Sequence, residues 1–538
     1  MSRMSANNVV GEKDLRCRQI APIPGFMGRC ATALAPWRRL VPLVAAAFAQ
    51  HAAHAYLEKA TPESQGVPSS AIGKYIDACE AQLDGMHSFV LVRHGKLIAE
   101  GYWAPFSADR VHLLYSHSKS FTSTAAGFLV DDGKLDLDER VVDIFPEYEP
   151  TNAAKYLAEI RVRDLLTMNA GQDVEAHYKD PAGDWVRAFL NNGIERRPGT
   201  SFKYDSCATH IVAAVVEKKS GKRLMDFLGE RLFSKVGIEG ARSNTSSTGV
   251  ACGGWGMSMK TRDLAKFGLL YLNEGEWNGE RILSRDWVRL ATSKQTSTDR
   301  KGDGDWSQGY GFQFWRCRHN CYRADGAFGQ YTVVMPEKDA VISITAGLSD
   351  MGKELQLVWD HLLPAMKDAP LPEDAAASAA LEKRCRELAI PPVIGTASPS
   401  DSPAGEKSLG ARFALEGEQK RFFFKEVSLS KGNGGWEIAL VDECGPQKIP
   451  VGAAKWEFGE MEVSKCRYEA IGSLPGVQHT AASGAWIAPD TFYAKVFLVD
   501  TPWWFGLTFK FNADGTLDFT VKLFGWGGND TKLAGSRI

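Results

Sequence analysis

The chain has 538 residues, which is too long for one ordinary hydrophobic core and predicts two or three domains. Hydrophobic residues make up 44% of it and charged residues 24%, as is typical of globular proteins. The formal net charge of −2 excludes a strongly basic surface, so we expect neither nucleic acid nor an acidic membrane as a partner.

The first 55 residues have the order of a secretory signal. Two arginines precede a short apolar run at residues 40–49, and residues 53–55 (Ala-His-Ala) are small at the spacing that a signal peptidase needs. We expect cleavage before Tyr56 and export, most simply to the periplasm. A disordered or amphipathic arm is the alternative, and Met27 is a second candidate start. No apolar run elsewhere reaches the ~20 residues of a membrane-spanning helix.

Residues 56–368 alternate between strand and helix patterns. Two β-rich runs in SFVLVRHGKLIAEGYW flank His94-Gly95, which predicts a hairpin, and a helical pattern follows up to Gly133. Residues 141–275 are mostly helical, residues 328–347 are β-rich again, and a final helix is predicted near residues 352–366. Strands at both ends and helices between them predict an α+β domain, with an antiparallel sheet flanked by helices and a largely helical subdomain.

The composition of the chain changes at residue 369 and again at residue 407. Residues 369–406 are rich in Ala, Pro and Ser, which predicts a linker with one short helix near residues 373–388. Residues 407–538 predict a C-terminal all-β domain, a barrel or a sandwich, with a hairpin at Asp514-Gly515. Its predicted strands are residues 421–430, 435–442, 454–463, 491–500, 503–512 and 516–526.

The stretch VHLLYSHSKSFTST contains Ser116 three residues before Lys119. On a helix, residues i and i+3 share a face, and a serine at a helix N-terminus lies in the positive end of the helix dipole. A lysine with a lowered pKa can act as the base for such a serine. The spacing alone is a weak signal, because Ser428 and Lys431 repeat it inside a predicted strand.

A second pair of hydroxyls occurs in Tyr204-Asp205-Ser206, at the start of a predicted helix. A tyrosine there can relay a proton to a leaving group. This signal is also weak by itself, since Tyr271-Leu272-Asn273 has similar spacing within an amphipathic run. A buried tyrosine at a helix start is the structural alternative.

Other chemistries lack their sequence patterns. There is no Gly-x-Ser-x-Gly motif, no phosphate loop, no Cys-x-x-Cys pair and no calcium-loop spacing, so we expect neither a metal nor a cofactor. His117 points away from the face that Ser116 and Lys119 share. Cys317 and Cys321 are either a disulfide of an exported protein or buried thiols.

Taken in order, these segments resemble the serine β-lactamase and penicillin-binding-protein superfamily, in the branch of class C β-lactamases, related esterases and nylon-oligomer hydrolases. The resemblance extends over roughly residues 61–350. It is carried by residues 115–148, 162–171, 203–221 and 253–283, which begin YSHSKS, VRDLLT, KYDSCA and GGWGMS. It implies that Ser116 is the acylated nucleophile, Lys119 its base partner and Tyr204 the proton carrier. Ser206 stands where the family has Asn or Ser.

The family's third motif, Lys-Thr-Gly, is not present. If the strand is aligned on FGQYTVVMPEK, Cys321-Tyr322-Arg323 occupies the position of Lys-Thr-Gly. Ala324 then has the backbone N–H that would donate to the oxyanion together with the backbone N–H of Ser116. The family lysine that recognises a carboxylate is therefore missing. Arg323 either supplies that charge or is a solvated surface arginine.

The missing Lys-Thr-Gly motif favours an esterase or amidase over the other functions found in this superfamily. It predicts a serine esterase or amidase that cleaves a small-molecule ester, amide or lactam. The alternatives are a β-lactamase or D-Ala peptidase, and a penicillin-binding or sensor-type protein with little turnover. The C-terminal domain resembles the lipocalin-like appendages of some superfamily members, and the sequence indicates no oligomeric state.

Overall fold

The computed structural model describes residues 57–150, 154–176, 183–419, 423–463, 476–525 and 530–538. The signal-like segment and its cleavage site lie outside these residues. All of the described residues belong to one compact unit. Within them, no helix has both the length and the apolar character needed to cross a bilayer.

The predicted order of strands, a mainly helical middle, strands and a final helix is present from residue 86 to residue 357, whereas the helix before it and the short strands at residues 242–243 and 257–259 were not predicted. The α-helices are α1 (Ser69–Gln82), α2 (Ser118–Asp131), α3 (Val141–Ile144), α4 (Val162–Leu166), α5 (Trp185–Leu190), α6 (Ser206–Ser220), α7 (Leu224–Leu228), α8 (Ser234–Val236), α9 (Thr261–Leu272), α10 (Arg285–Thr292), α11 (Met351–Leu357), α12 (Ala375–Arg386) and α13 (Pro403–Ser408). The strands of the first part are β1 (Met86–Arg93), β2 (Lys96–Tyr102), β3 (His112–Leu113), β4 (Arg242–Ser243), β5 (Met257–Met259), β6 (Glu276–Trp277), β7 (Glu280–Arg281), β8 (Trp315–Arg316), β9 (Tyr322–Gly326), β10 (Gln330–Met335) and β11 (Ala340–Ala346). The strands of the C-terminal part are β12 (Arg412–Glu416), β13 (Glu426–Gly432), β14 (Gly435–Asp442), β15 (Gly445–Gly452), β16 (Glu457–Val463), β17 (Gly476–Ala488), β18 (Thr491–Leu498), β19 (Trp504–Phe511), β20 (Leu517–Leu523) and β21 (Thr531–Arg537).

The main sheet is built from both ends of the first domain, as predicted. Its strand order is β2-β1-β11-β10-β9-β8, and the central pair β1 and β11 runs antiparallel with Phe89 opposite Ile344. One face packs on α1 and α11, and the other packs on α9 and, through it, on the helical subdomain around α2 and α6. This is the α+β arrangement that the sequence predicts, an antiparallel sheet flanked by helices with a largely helical subdomain. It places the N-terminus of α2 beside the end of β9.

The C-terminal domain is a barrel. Its strand order is β15-β14-β13-β12-β21-β20-β19-β18-β17-β16, and a parallel bridge between Gly452 and Ser483 closes nine of the strands into a ring. Aromatic and branched apolar side chains fill the interior, among them Trp486, Phe492 and Phe509, all nearly or fully buried. Each predicted run contains a strand, whereas β12, β15, β17 and β21 were not predicted. Ser428 and Lys431 lie on β13, as expected for a chance match to the motif.

Residues 369–406 differ from the predicted linker. They contain the expected helix, α12, but this helix packs against α1 and β2, and Leu381 and Leu388 are buried in the same core as the main sheet. Backbone hydrogen bonds join Ala104 to Leu388 and to Ile390, at 3.0 and 2.8 Å. The Ala and Pro content indicates a flexible segment, but its leucines bind it to the hydrolase domain.

Candidate active site

Ser116 lies in a 3₁₀ turn, Tyr115–His117, that leads directly into α2. Tyr115 has a φ of 49°, in the left-handed region that a bulky residue rarely adopts. The turn is held by a hydrogen bond from the Ser118 hydroxyl to the carbonyl of Tyr115, at 2.6 Å. Tyr115 and His117 are buried, whereas Ser116 is half-buried. The sharp turn therefore presents the Ser116 hydroxyl at the helix N-terminus.

Lys119 is one turn further along and is 1% exposed. Its Nζ lies 3.2 Å from the Ser116 Oγ, 3.1 Å from the Ser206 Oγ and 2.6 Å from the carbonyl oxygen of Gly254. Burial lowers the pKa of this amine to about 8, although nearby carboxylates, Glu175 foremost, act in the opposite direction. The structure thus brings the predicted serine, lysine and second serine into one hydrogen-bonded group.

The partners of Lys119 fix the direction of its hydrogen bonds. The Gly254 carbonyl can only accept a hydrogen bond, so it takes one N–H of the amine. The Ser206 hydroxyl interacts with the Glu175 carboxylate, which can only accept a hydrogen bond, and the Ser206 oxygen accepts the second N–H at 3.1 Å. A neutral Lys119 then has its lone pair directed at the Ser116 hydroxyl, which is the geometry of a general base.

Tyr204 completes this group. Its hydroxyl interacts with the side chain of Ser116, and its ring centre lies 4.9 Å from the Lys119 Nζ and 5.7 Å from the stacked ring of Trp315. Burial raises the pKa of Tyr204 well above its usual value. At neutral pH the phenol is therefore protonated, so Tyr204 carries a proton while Lys119 accepts one.

Glu175 and the Gly254 carbonyl are site groups that the sequence reasoning missed. Glu175 also accepts a hydrogen bond from the backbone N–H of Ser206, at 3.0 Å, and burial raises the pKa of its carboxyl. Both groups come from loops remote in sequence from the Ser-x-x-Lys motif. No local spacing points to them, and only the tertiary fold brings them to Lys119.

Arg323 is fully buried, so it is neither the substrate-facing charge nor the solvated surface arginine that the sequence left as alternatives. It is 0% exposed, and its guanidinium is paired with Asp325 at 2.7 Å and lies 4.7 Å from the ring centre of Trp306. Alternation along β9 places Arg323 and Asp325 on the same face. The arginine therefore neutralises a buried carboxylate two residues away.

Ala324 occupies the middle of β9, opposite Thr332, and is 1% exposed. β9 contacts the turn Tyr115–His117, called the nucleophile turn below, through Gly326, which is two residues after the predicted position. A Cβ on Gly326 would lie 2.0 Å from the carbonyl oxygen of Leu114 and 3.1 Å from the backbone nitrogen of His117, so strand and turn touch backbone to backbone. Ala327, the next residue, is half-buried.

The cysteines near the site remain free thiols. Neither Cys317 nor Cys321 forms a disulfide, which leaves the second of the two predicted alternatives. The Cys317 sulfur accepts a hydrogen bond from Arg323 at 3.1 Å. Among the described residues, no group of three His, Cys, Asp or Glu side chains is arranged to hold a metal ion.

The chain is similar to known proteins in sequence and in fold. The sequence profile described as Beta-lactamase matches residues 70–362, more than half of the chain. A 6-aminohexanoate-dimer hydrolase of Paenarthrobacter ureafaciens is 28% identical over 313 residues, which cover 53% of this chain and 79% of that protein. Penicillin-binding protein 4 of Amycolatopsis lactamdurans is 28% identical over 177 residues, 32% of this chain and 44% of the relative. The D-amino acid amidase structure from Ochrobactrum anthropi SV3 has a TM-score of 0.45 and 19% identity, and covers 56% of this chain and 98% of the amidase.

Proposed function

The chain belongs to the Beta-lactamase family and is a serine hydrolase, and from that premise we propose that it is an amidase or esterase that forms an acyl-enzyme on Ser116. The single observation that carries this proposal is the contact of 3.2 Å between the Lys119 Nζ and the Ser116 Oγ, with the amine buried. A lysine held in this way can take a proton at physiological pH, which an exposed lysine does only rarely.

In the proposed reaction, the Ser116 oxygen attacks the substrate carbonyl carbon while its proton passes to Lys119. The resulting oxyanion accepts hydrogen bonds from the backbone N–H groups of Ser116 and Ala327. The carbon–nitrogen or carbon–oxygen bond then breaks, and Tyr204 gives its proton to the leaving group as it receives one from Lys119. Water attacks the Ser116 ester by the same proton route in reverse and releases the acid.

The choice of Ala327 over Ala324 as the second donor follows from the backbone contact at Gly326. The donor has to lie next to the nucleophile turn, and Ala327 is the half-buried residue directly after that contact. Ala324 is enclosed by the core on the helical side of the sheet.

An uncharged or weakly polar acyl group is the proposed substrate class. Cys321 stands where the family has a lysine and is 1% exposed, and Arg323 is fully buried, so neither offers a cation to a substrate carboxylate. Trp255, which directly follows Gly254, is half-buried and packs against Trp185 with ring centres 5.3 Å apart, so this edge of the site is apolar. These features support a linear amide or ester over a penicillin or a D-Ala peptide.

The proposal is tested by turnover of three probes: a nitrophenyl acetate, a linear N-alkyl hexanamide and benzylpenicillin. We expect turnover of the first two by the wild type, and a loss of about 10³-fold or more in Ser116→Ala. Ser428→Ala is the matched control, since it removes the serine of the other Ser-x-x-Lys match, and it should keep full activity. Equal rates for Ser116→Ala and the wild type would refute the proposal. Stable acylation by penicillin without turnover of any probe would support a penicillin-binding or sensor protein instead.

We also propose that the first 55 residues direct export to the periplasm. The order of charged, apolar and small residues in the sequence supports this. Cell fractionation with N-terminal sequencing of the mature protein tests it. A periplasmic chain beginning at Tyr56 is expected, and a full-length cytoplasmic chain would contradict it.

A further inference from the structure

The turn between β18 and β19, residues 499–503, is where the barrel meets the part of the chain that holds Ser116. The turn is held by its own hydrogen bonds. The Thr501 hydroxyl donates to the carbonyl of Leu498 at 2.9 Å and accepts from the backbone N–H of Trp503 at 3.0 Å, and the backbone N–H of Leu498 donates to the carbonyl of Trp503 at 2.9 Å. This turn is called the barrel turn below.

Trp503 extends from the barrel turn toward the nucleophile and is fully buried. Its indole N–H donates to the hydroxyl of Tyr115, and its ring centre lies 5.4 Å from that of Phe328. Tyr115 and Phe328 also contact each other, with ring centres 5.4 Å apart. Three rings from three different segments thus form a closed cluster next to the active site.

Both partners of Trp503 are neighbours of the proposed oxyanion donors. Tyr115 precedes Ser116, and Phe328 follows Ala327. Tyr115 has a φ of 49° and Phe328 a φ of 68°, and bulky residues keep such conformations only where their surroundings hold them. The rings of Tyr115 and Phe328 pack in the same hydrophobic cluster as the barrel interior, and Ala327 packs against that cluster.

Two further contacts fix the barrel turn against the domain. The backbone N–H of Leu113, in the strand directly before the nucleophile turn, donates to the carbonyl of Asp500 at 2.8 Å. The Asp500 carboxylate is paired with Arg242 at 3.0 Å and with Arg110 at 3.5 Å. Gly525, with a φ of 119°, leaves room for the indole, because a Cβ there would lie 2.2 Å from the Trp503 ring.

We infer that Trp503 is a positioning residue of the active site, which holds the backbone N–H groups of Ser116 and Ala327 at the separation that the oxyanion needs. Through this one turn the barrel then supports the active site, and it is not a separate appendage. This inference rests on the proposed function, since it assigns a role to the barrel at the same oxyanion site.

The test compares Trp503→Phe with Trp486→Phe in the full-length protein. Trp486 is a buried tryptophan of the same barrel that packs on Trp436, Phe492 and Phe511, so it controls for the general effect of the substitution. For nitrophenyl acetate, we expect Trp503→Phe to lower kcat about tenfold, with KM within twofold, because the lost alignment weakens hydrogen bonds that strengthen only in the transition state. The rate of fluorophosphonate labelling should fall in parallel, and Trp486→Phe should stay within twofold of the wild type.

A second variant keeps the inference testable if Trp503→Phe fails to fold. Tyr115→Phe removes the acceptor of the same hydrogen bond and should lower kcat by a similar factor, and the double variant should be no slower than the slower single variant. A kcat within twofold of the wild type in Trp503→Phe, or an equal loss in Trp486→Phe, would overturn the inference. Full turnover by Ser116→Ala would instead overturn the proposed function, so the two failures are distinguishable.

Discussion

Lys119 can accept a proton from Ser116 only as a neutral amine, so the activity has to follow the ionisation of that amine. Burial lowers its pKa to about 8. Below that pH the ammonium form, which has no lone pair, dominates. We therefore expect kcat/KM to rise about tenfold per pH unit up to an inflection near 8 and to level off above it. A pH–rate profile for a nitrophenyl ester between pH 5.5 and 9.5 measures this.

A substitution of Glu175 tests whether the inflection in the pH–rate profile belongs to Lys119. Its charge raises the pKa of Lys119, so Glu175→Gln should move the inflection to lower pH. Lys495, in the barrel, is the matched control, because burial lowers its pKa to about 8 as well. Lys495→Gln should leave the profile unchanged. If the pH of the inflection changed in Lys495→Gln but not in Glu175→Gln, Lys119 would not be the titrating base.

At the level of secondary structure, activity depends on the contact between the end of β9 and the nucleophile turn. A side chain on Gly326 would meet the Leu114 carbonyl at 2.0 Å and push the strand away from the turn. Because this displaces the proposed Ala327 donor, Gly326→Ala should lower kcat about 100-fold or more, as the loss of one oxyanion hydrogen bond does elsewhere.

The control for that substitution is Gly73→Ala in α1. A Cβ on Gly73 has no neighbour within 4 Å, and alanine is the better helix former, so this variant should keep full activity and gain slight stability. Circular dichroism shows that both variants are folded before their rates are compared. A folded Gly326→Ala protein with wild-type kcat would place the oxyanion hole elsewhere.

The elements that the sequence predicts correctly are those with a clear local period. The hairpin at His94-Gly95 and the helix after Ser116 follow from alternation and from the 3.6-residue repeat. Lys119 is brought to Ser116 by the first turn of that helix together with the 3₁₀ turn before it. Arg323 could not be predicted in the same way. Its environment is set by Asp325, Trp306 and Cys317, and the sequence around the arginine does not show which of these it meets.

At the level of the whole molecule, the barrel and the hydrolase domain share part of one hydrophobic core. Leu113, Tyr115 and Phe328 pack in the same cluster as the barrel's interior residues. We therefore expect one cooperative unfolding transition, with the same midpoint by calorimetry and by activity loss. Two transitions separated by several degrees, with activity retained after the first, would show that the barrel is energetically independent.

The central claim is that Ser116 carries the acyl group, and intact-mass spectrometry of the trapped intermediate tests it most directly. The protein is quenched in acid during turnover of a slowly hydrolysed ester, and the adduct is located by proteolysis. The account predicts one acyl group per chain on the peptide that contains Ser116, present in Ser428→Ala and missing from Ser116→Ala. An adduct of equal amount in Ser116→Ala, or an adduct on another residue, would contradict it.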